Sequence, residues 1–269
     1  MKVIEHAFDV WNDCFKLVLL GDVHIGSGGT DEGLVESVAQ RLKEPGAYWI
    51  DLGDAIDAIN VSDPRMDFSE LPEWVDVSDL ADLMTCQVER YKHYFGKLGS
   101  TCLARLSGNH EGVLQHKYER NVYRELNRSI SLEDNRALGY SGFVRLRFRQ
   151  RSGDKVVNTW TQTLYISHGG GGGKLAGSKA TNLERLPLAW DADIYAMGHT
   201  HTKMVVQKRR VGVNPRKNSI IDKHMIMVNV GAFMRGDSGY AERKMLYPQA
   251  LGPIELWFYP SEKLIRVMQ

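Results

Sequence analysis

The sequence predicts an α/β fold in which helices cover a sheet. Two observations carry that expectation. Short apolar runs rich in Val, Ile, Leu and Tyr repeatedly end in a glycine or a polar cluster, as buried strands do. Between the early runs lie segments with apolar residues at three-to-four spacing, the pattern of amphipathic helices. Alternation of the two argues for helix layered on sheet.

Taken in order, the first run is 17–20, before Gly21-Asp22. A helix is expected over 31–43, opening on the cap candidate Asp31. The next run, 47–52, precedes Gly53-Asp54. Residues 57–78 hold Pro64, Pro72 and many acids, and read as a long surface excursion, a possible insertion. The longest helical pattern, 79–98, lines up Leu80, Leu83, Met84, Val88, Tyr91 and Phe95. The run 102–106 precedes Ser107-Gly108-Asn109, and further helices are expected at 113–129 and 178–190. Residues 163–167 run into His168, 194–197 into Gly198-His199 and 225–230 into Gly231. The C-terminal part looks strand-rich, with 143–150, 156–167, 203–211, 224–230, 253–259 and 263–268, which suggests a mixed sheet or two sheets packed face to face. With no internal repeat and no clear interdomain linker, residues 1–269 read as a single domain.

The chain of 269 residues is 43% hydrophobic and 25% charged, ordinary values for a folded protein that can bury a sizeable core without disulfide staples. Cys14, Cys86 and Cys102 are scattered, with no CxxC pair, so neither a disulfide framework nor a thiolate zinc site is suggested. A reducing, cytoplasmic compartment fits that usage. No leader-like segment opens the chain, and no stretch nears the roughly 18 apolar residues of a membrane helix. The net charge of +1 names no partner. Residues 57–82 are acid-rich and 203–223 base-rich; both read most simply as solvated surface.

The chemistry lies at the ends of the apolar runs, where open α/β sheets bind ligands. Gly21-Asp22-Val23-His24 offers a carboxylate and an imidazole, and Gly53-Asp54 a second carboxylate. Gly108-Asn109-His110-Glu111 offers an amide oxygen and an imidazole, Ser167-His168-Gly169 one imidazole, and Gly198-His199-Thr200-His201 two. Imidazole mixed with carboxylate suits Mn, Fe, Ni or Zn better than Ca or Mg. Two such ions about 3.5–4 Å apart can hold a hydroxide between them and clamp a phosphoryl centre. The D-x-H and H-x-H spacings place alternate side chains on one side of an extended segment. A single histidine in a strand is more often packed than ligating, and His6, His93, His116 and His224 are read so.

The order and spelling of these blocks resemble the calcineurin-like metallophosphoesterase superfamily: D-x-H, G-D, G-N-H-[DE], a lone H, then G-H-x-H. All five occur in order over residues 22–201, about two thirds of the chain. Each block alone is weak, and the five in order are specific. The resemblance implies a four-layer α/β/β/α sandwich of two mixed sheets flanked by helices. It implies two divalent metal ions, Mn first, with Fe, Ni or Zn as alternatives. Asp22, His24 and His201 would hold one ion, Asn109, His168 and His199 the second, with Asp54 bridging. His110 would be the catalytic acid facing substrate, and Glu111 would fix its loop. Asp51 reads as a structural neighbour of Asp54, and Asp57 as a cap more readily than as part of the site.

Two features bear on substrate. The glycine run 169–173 is followed by Lys174; Gly169, Gly170 and Lys174 could form an anion-binding flap or a connection without further role. It is no Walker A loop, since Leu175 follows the lysine. Arg145, Arg147, Arg149 and Arg151 alternate with Val144, Leu146, Phe148 and Gln150, so the arginines share one strand face. That face could track DNA or RNA, or be a solvated edge. The favoured expectation is a phosphodiesterase or nuclease, acting with a bridging hydroxide on nucleic acid or nucleotides. A phosphomonoesterase on a small substrate is the alternative. A protein phosphatase is disfavoured, because no Asp-Arg-Gly element continues the Gly53-Asp54 block. A non-catalytic binding scaffold should show eroded ligand positions, and none is replaced. A homodimer is possible and nothing in the sequence argues for it.

Overall fold

The computed structural model describes residues 1–63, 66–173, 175–214, 216–237 and 247–269. It shows an α/β chain with two mixed sheets of six strands each. Five α-helices lie among the described residues.

The strands are β1 (Val3–Phe8), β2 (Phe15–Leu20), β3 (Ala47–Asp51), β4 (Cys102–Leu106), β5 (Ala137–Gly139) and β6 (Ser141–Ser152), then β7 (Lys155–Ser167), β8 (Ile194–Met197), β9 (Met204–Asn214), β10 (Ser219–Asn229), β11 (Ile254–Tyr259) and β12 (Leu264–Met268). One sheet runs β12-β11-β2-β3-β4-β5, the other β1-β6-β7-β8-β10-β9. In the first, β2, β3, β4 and β5 are parallel, whereas β11 joins β2 antiparallel. In the second, β7, β8 and β10 are parallel.

The period of two along β2 explains the packing. Leu17 and Leu19 enter an apolar cluster that also holds Val144, Leu146, Phe148, Leu164, Ile166 and Val228 from the other sheet. Val18 and Leu20 point the opposite way, into a cluster with Trp49, Val35, Val38, Tyr91, Phe95 and Leu126. Strands buried on both faces need near-continuous apolar sequence, and β2 and β4 have it. A third cluster sets Tyr165, Tyr195 and Met227 against Leu183. The arrangement is compatible with two sheets packed face to face and coated by helices.

The helices are α1 (Glu32–Leu42), α2 (Leu83–Phe95), α3 (Asn109–Tyr118), α4 (Val122–Ser129) and α5 (Ala176–Ala189). Asp31 does cap α1, accepting from the Leu34 amide at 2.9 Å. The helix expected over 79–98 is shorter. Residues Val77–Ala81 form a 3-10 turn, and Asp82 caps α2 by accepting from the Thr85 amide. The helix expected over 113–129 is two helices. Glu119 takes a left-handed conformation at the end of α3, and Asn121 caps α4 through the Arg124 amide. The sequence pattern also passed over β1 and β5. No helix of the described residues is long and apolar enough to cross a membrane.

Candidate metal centre

All five motif blocks sit at carboxyl ends of strands. Gly21-Asp22 follows β2, Gly53-Asp54 follows β3, Asn109 opens α3 after β4, His168 follows β7 and His199 follows β8. Within each sheet these strands are parallel neighbours, so their ends stand at one edge.

Three groups of potential ligands form there. Asp22, His24 and His201 are one, Asp54, His168 and His199 the second, and His24, Asp57 and His110 a third that shares His24 with the first. In the first, His24 Nε2 lies 3.1 Å from His201 Nε2, and His201 Nε2 lies 3.8 Å from Asp22 Oδ1. In the second, Asn109 Oδ1 is 2.8 Å from His199 Nδ1 and 3.1 Å from His168 Nε2. Donors about 2.1 Å from one ion stand roughly 3–3.5 Å apart at ordinary coordination angles, so both sets fit an ion. Asp54 Oδ2 is shared: 3.3 Å from His168 Nε2 and 4.0 Å from His24 Nε2.

The polar atoms support the fit. Asp22 Oδ1 is buried with no hydrogen-bond partner, a costly state unless something cationic meets it. The Asn109 amide poses the same choice. With its oxygen inward it faces Asp54 Oδ2, His168 and His199; turned over, its nitrogen would donate to all three. A bound cation selects the oxygen-inward orientation.

The backbone converges the ligands by strain and not by extension. Asp22, His24, Asp54, His199 and His201 have φ of 52°, 51°, 52°, 67° and 53°. The extended D-x-H and H-x-H segments expected from the sequence are therefore a misreading: these are left-handed turns. Such conformations are uncommon for non-glycine residues and cluster at functional sites. The preceding glycines serve close approach. A Cβ on Gly108 would come within 1.9 Å of Asp54 Oδ1, and one on Gly198 within 2.9 Å of Asp22 Oδ2.

A layer behind the ligands sets their orientation. The Leu52 carbonyl accepts from His168 Nδ1 at 2.8 Å, which leaves Nε2 for a metal. The His110 amide donates to Asp54 Oδ1 at 2.9 Å, turning Oδ2 toward the two groups. The His199 amide donates to Asp22 Oδ2 at 2.7 Å. Glu111 is buried and accepts from the amides of Asp54, Ala55 and Gly108 at 3.2, 2.8 and 2.8 Å. His110 belongs to neither of the first two groups and falls in the third, with His24 and Asp57. Its Nδ1 meets the Asp57 carbonyl at 2.5 Å, so its Nε2 is the nitrogen available to substrate.

Charge and burial compete at each group. Burial opposes ionisation of Asp22 and raises its carboxyl to about 7. Burial likewise opposes a charged His168, but the Asp54 carboxylate outweighs it and lifts the imidazole to about 10. Asp54 shows the complement: burial resists its charge, and His168 and the neighbouring imidazoles pull its carboxyl well below the usual range. Desolvation lowers His110, with the His24 charge adding to it. Desolvation also lowers His199 and, strongly, His201. A cluster with so many displaced titrations is a functional-site signature.

Of this layer, Asp57 was read as a cap more readily than as part of the site, and Arg105 was not singled out. Asp57, expected to be a cap, places Oδ1 3.7 Å from His24 Nδ1 and 3.6 Å from His110 Nδ1. Its signal was its position three residues beyond Asp54 on the same loop. Arg105 is fully buried, with Nε donating to Asp51 Oδ2 at 2.7 Å and Nη1 to Asn127 Oδ1 at 2.9 Å. An arginine amid the apolar run Cys102-Leu103-Ala104-Arg105-Leu106 was itself the signal, since a buried guanidinium requires partners.

The expected substrate contacts fare differently. Arg145 and Arg147 each pair with Glu5 at 3.1 Å. Arg149 and Arg151 pair with Asp9 at 2.8 Å. Arg145 lies opposite Thr163 and Arg147 opposite Thr161, which puts them about 13 and 20 Å from the His168 end of β7 at ~3.3 Å per residue. They join β6 to β1 through these ion pairs and stand away from the ligand cluster. Gly169 and Gly171 have φ of 98° and 86°. Gly170 is exposed, with open space around its Cα. Lys174 lies outside the described residues.

No protein-family model matches the chain, and no curated protein does.

Proposed function

We propose that the chain is a metal-dependent phosphoester hydrolase of the calcineurin-like metallophosphoesterase kind, on the four-layer α/β/β/α sandwich of that superfamily. The observation that carries this reading is the place of Asp54, whose Oδ2 stands between two ligand groups, 3.3 Å from His168 and 4.0 Å from His24. A pair of ions there, when bound, supplies an activated water and Lewis acidity at phosphorus. Asp22, His24 and His201 would hold one ion, and Asn109, His168 and His199 the other; Mn fits this mixed donor set, as do Fe, Ni and Zn. His110 stands beside His24 at a ring separation of 4.6 Å and presents Nε2 to the leaving oxygen or a phosphoryl oxygen.

Small phosphodiesters are the favoured substrates. Nucleic acid stays in the panel, because Arg145, Arg147, Arg149 and Arg151 share only Glu5 and Asp9 as partners and leave that face of β6 positive. A parallel turnover panel tests the reading: bis- and mono-p-nitrophenyl phosphate, cyclic nucleotides, DNA and RNA, each with Mn, Fe, Ni and Zn. Turnover of the diester that a chelator abolishes is expected. A faster monoester would reassign the subclass, and no turnover with any metal would point to a binding scaffold.

A further inference from the structure

Beside the ligand groups the chain builds a small cavity with two kinds of wall. His24, His110 and His201 are among its lining. Ile59, Met66, Leu71, Leu83 and Met234 supply apolar surface to the rest. Metal ions, water and phosphate are all polar, so none of them accounts for an apolar wall. What remains of a phosphate ester is its carbon group.

The wall is held in place. Gln87 accepts from the Ala58 amide at 2.9 Å and donates to the Ile59 carbonyl at 3.3 Å. The Gly28 amide donates to the Glu70 carbonyl at 2.8 Å, and Trp74 Nε1 donates to Glu32 at 2.5 Å. The stretch 57–78, expected as a surface excursion, therefore lines the site. It contributes Ile59, Met66 and Leu71, together with the acids Asp57, Asp67 and Glu70.

We infer that this cavity seats the apolar alcohol portion of the substrate, a short alkyl group or one edge of a ring, on the ester oxygen nearest His110. The inference rests on the phosphoester reading. Size sets the limit: the cavity is about 80 Å³, against the ~150 Å³ that encloses a benzene ring.

Alkylphosphonates test this directly, because their carbon–phosphorus bond resists ester hydrolysis and affinity alone is read. Methyl-, ethyl-, propyl-, butyl- and octylphosphonate are titrated calorimetrically into the Mn-loaded protein. Affinity should rise about fourfold per methylene and level off once the cavity is full, so that octyl gains little over butyl. Met66→Asp and Met234→Asp, in separate segments, should each flatten the series, and Met66→Leu should retain it; a thermal melt verifies that each variant folds. Equal affinity for methyl- and butylphosphonate overturns the inference and leaves the phosphoester reading standing. So does a rise through octyl without levelling. No binding of any phosphonate, together with no turnover of any ester, overturns both.

Discussion

Asp54 Oδ1 is tied to the His110 amide and Oδ2 faces the two imidazole groups, so in the proposed centre one carboxylate would divide its oxygens between structure and ligation. His168 and Asp22 show what this costs without a metal. The His168 imidazole, raised to about 10, stabilises the fold below its unfolded value near 6.5 and loses that contribution as pH rises through about 10. The Asp22 carboxyl, raised to about 7, likewise favours the fold when protonated and ceases to as pH rises from about 4 through 7. Both must shed protons to ligate, so metal uptake releases protons. Melting temperatures with Mn and with chelator should therefore diverge between pH 6 and 9; a gap that is constant or shrinks across that range would contradict the assignment of these ligands. His110 is lowered below its usual range, so its acid form declines before neutrality. His110→Ala should reduce kcat about 10²–10⁴-fold on alkyl esters and far less on p-nitrophenyl esters, whose leaving group needs no proton. Metal content should stay unchanged, and its loss would make His110 a ligand.

At the scale of elements, the strand ends decide the site. The sequence made this legible because β2, β3, β4 and β8 are short apolar runs and β7 closes on one at residues 164–166, each followed by a ligand-bearing turn. The pattern of residue types could not reveal that Asp22, His24, Asp54, His199 and His201 adopt left-handed backbone, since that conformation is imposed by the contacts around each turn. Nor could it show Glu5 and Asp9 meeting the four arginines, because β1 and β6 are far apart in sequence. The glycine run was legible as a loop, and the positive φ of Gly169 and Gly171 within it was not. The supporting layer is tested at Arg105. Its guanidinium bonds Asp51 and lies 3.9 Å from Glu111, which in turn holds three amides of the Asp54 and Asn109 loops. Arg105→Met strands Asp51 as a buried unpaired charge, a loss of about 3–5 kcal/mol and a melting temperature lower by roughly 10 °C. Weaker Mn binding should accompany it. A variant as stable as the native protein would show that the pair is dispensable.

For the whole molecule, the centre lies where the two sheets come together. The sheet with β2, β3 and β4 provides Asp22, His24, Asp54 and Asn109, and the sheet with β7 and β8 provides His168, His199 and His201. Each proposed ion thus takes ligands from both sheets, so that metal binding and the packing of the sheets reinforce each other. The apolar cluster that contains Leu17, Leu19, Val144 and Ile166 forms the remainder of that contact. The layered α/β class was readable from the alternation of runs and helices, whereas the pairing of the twelve strands among the described residues into two sheets needed long-range register that no local pattern encodes. The most direct test is the rate of bis-p-nitrophenyl phosphate hydrolysis as metal-free protein is titrated with Mn. The rate should climb to a plateau at two ions per chain, and Asp54→Asn should abolish the climb. A plateau at one ion, or no hydrolysis with two bound, would contradict a dinuclear phosphoesterase.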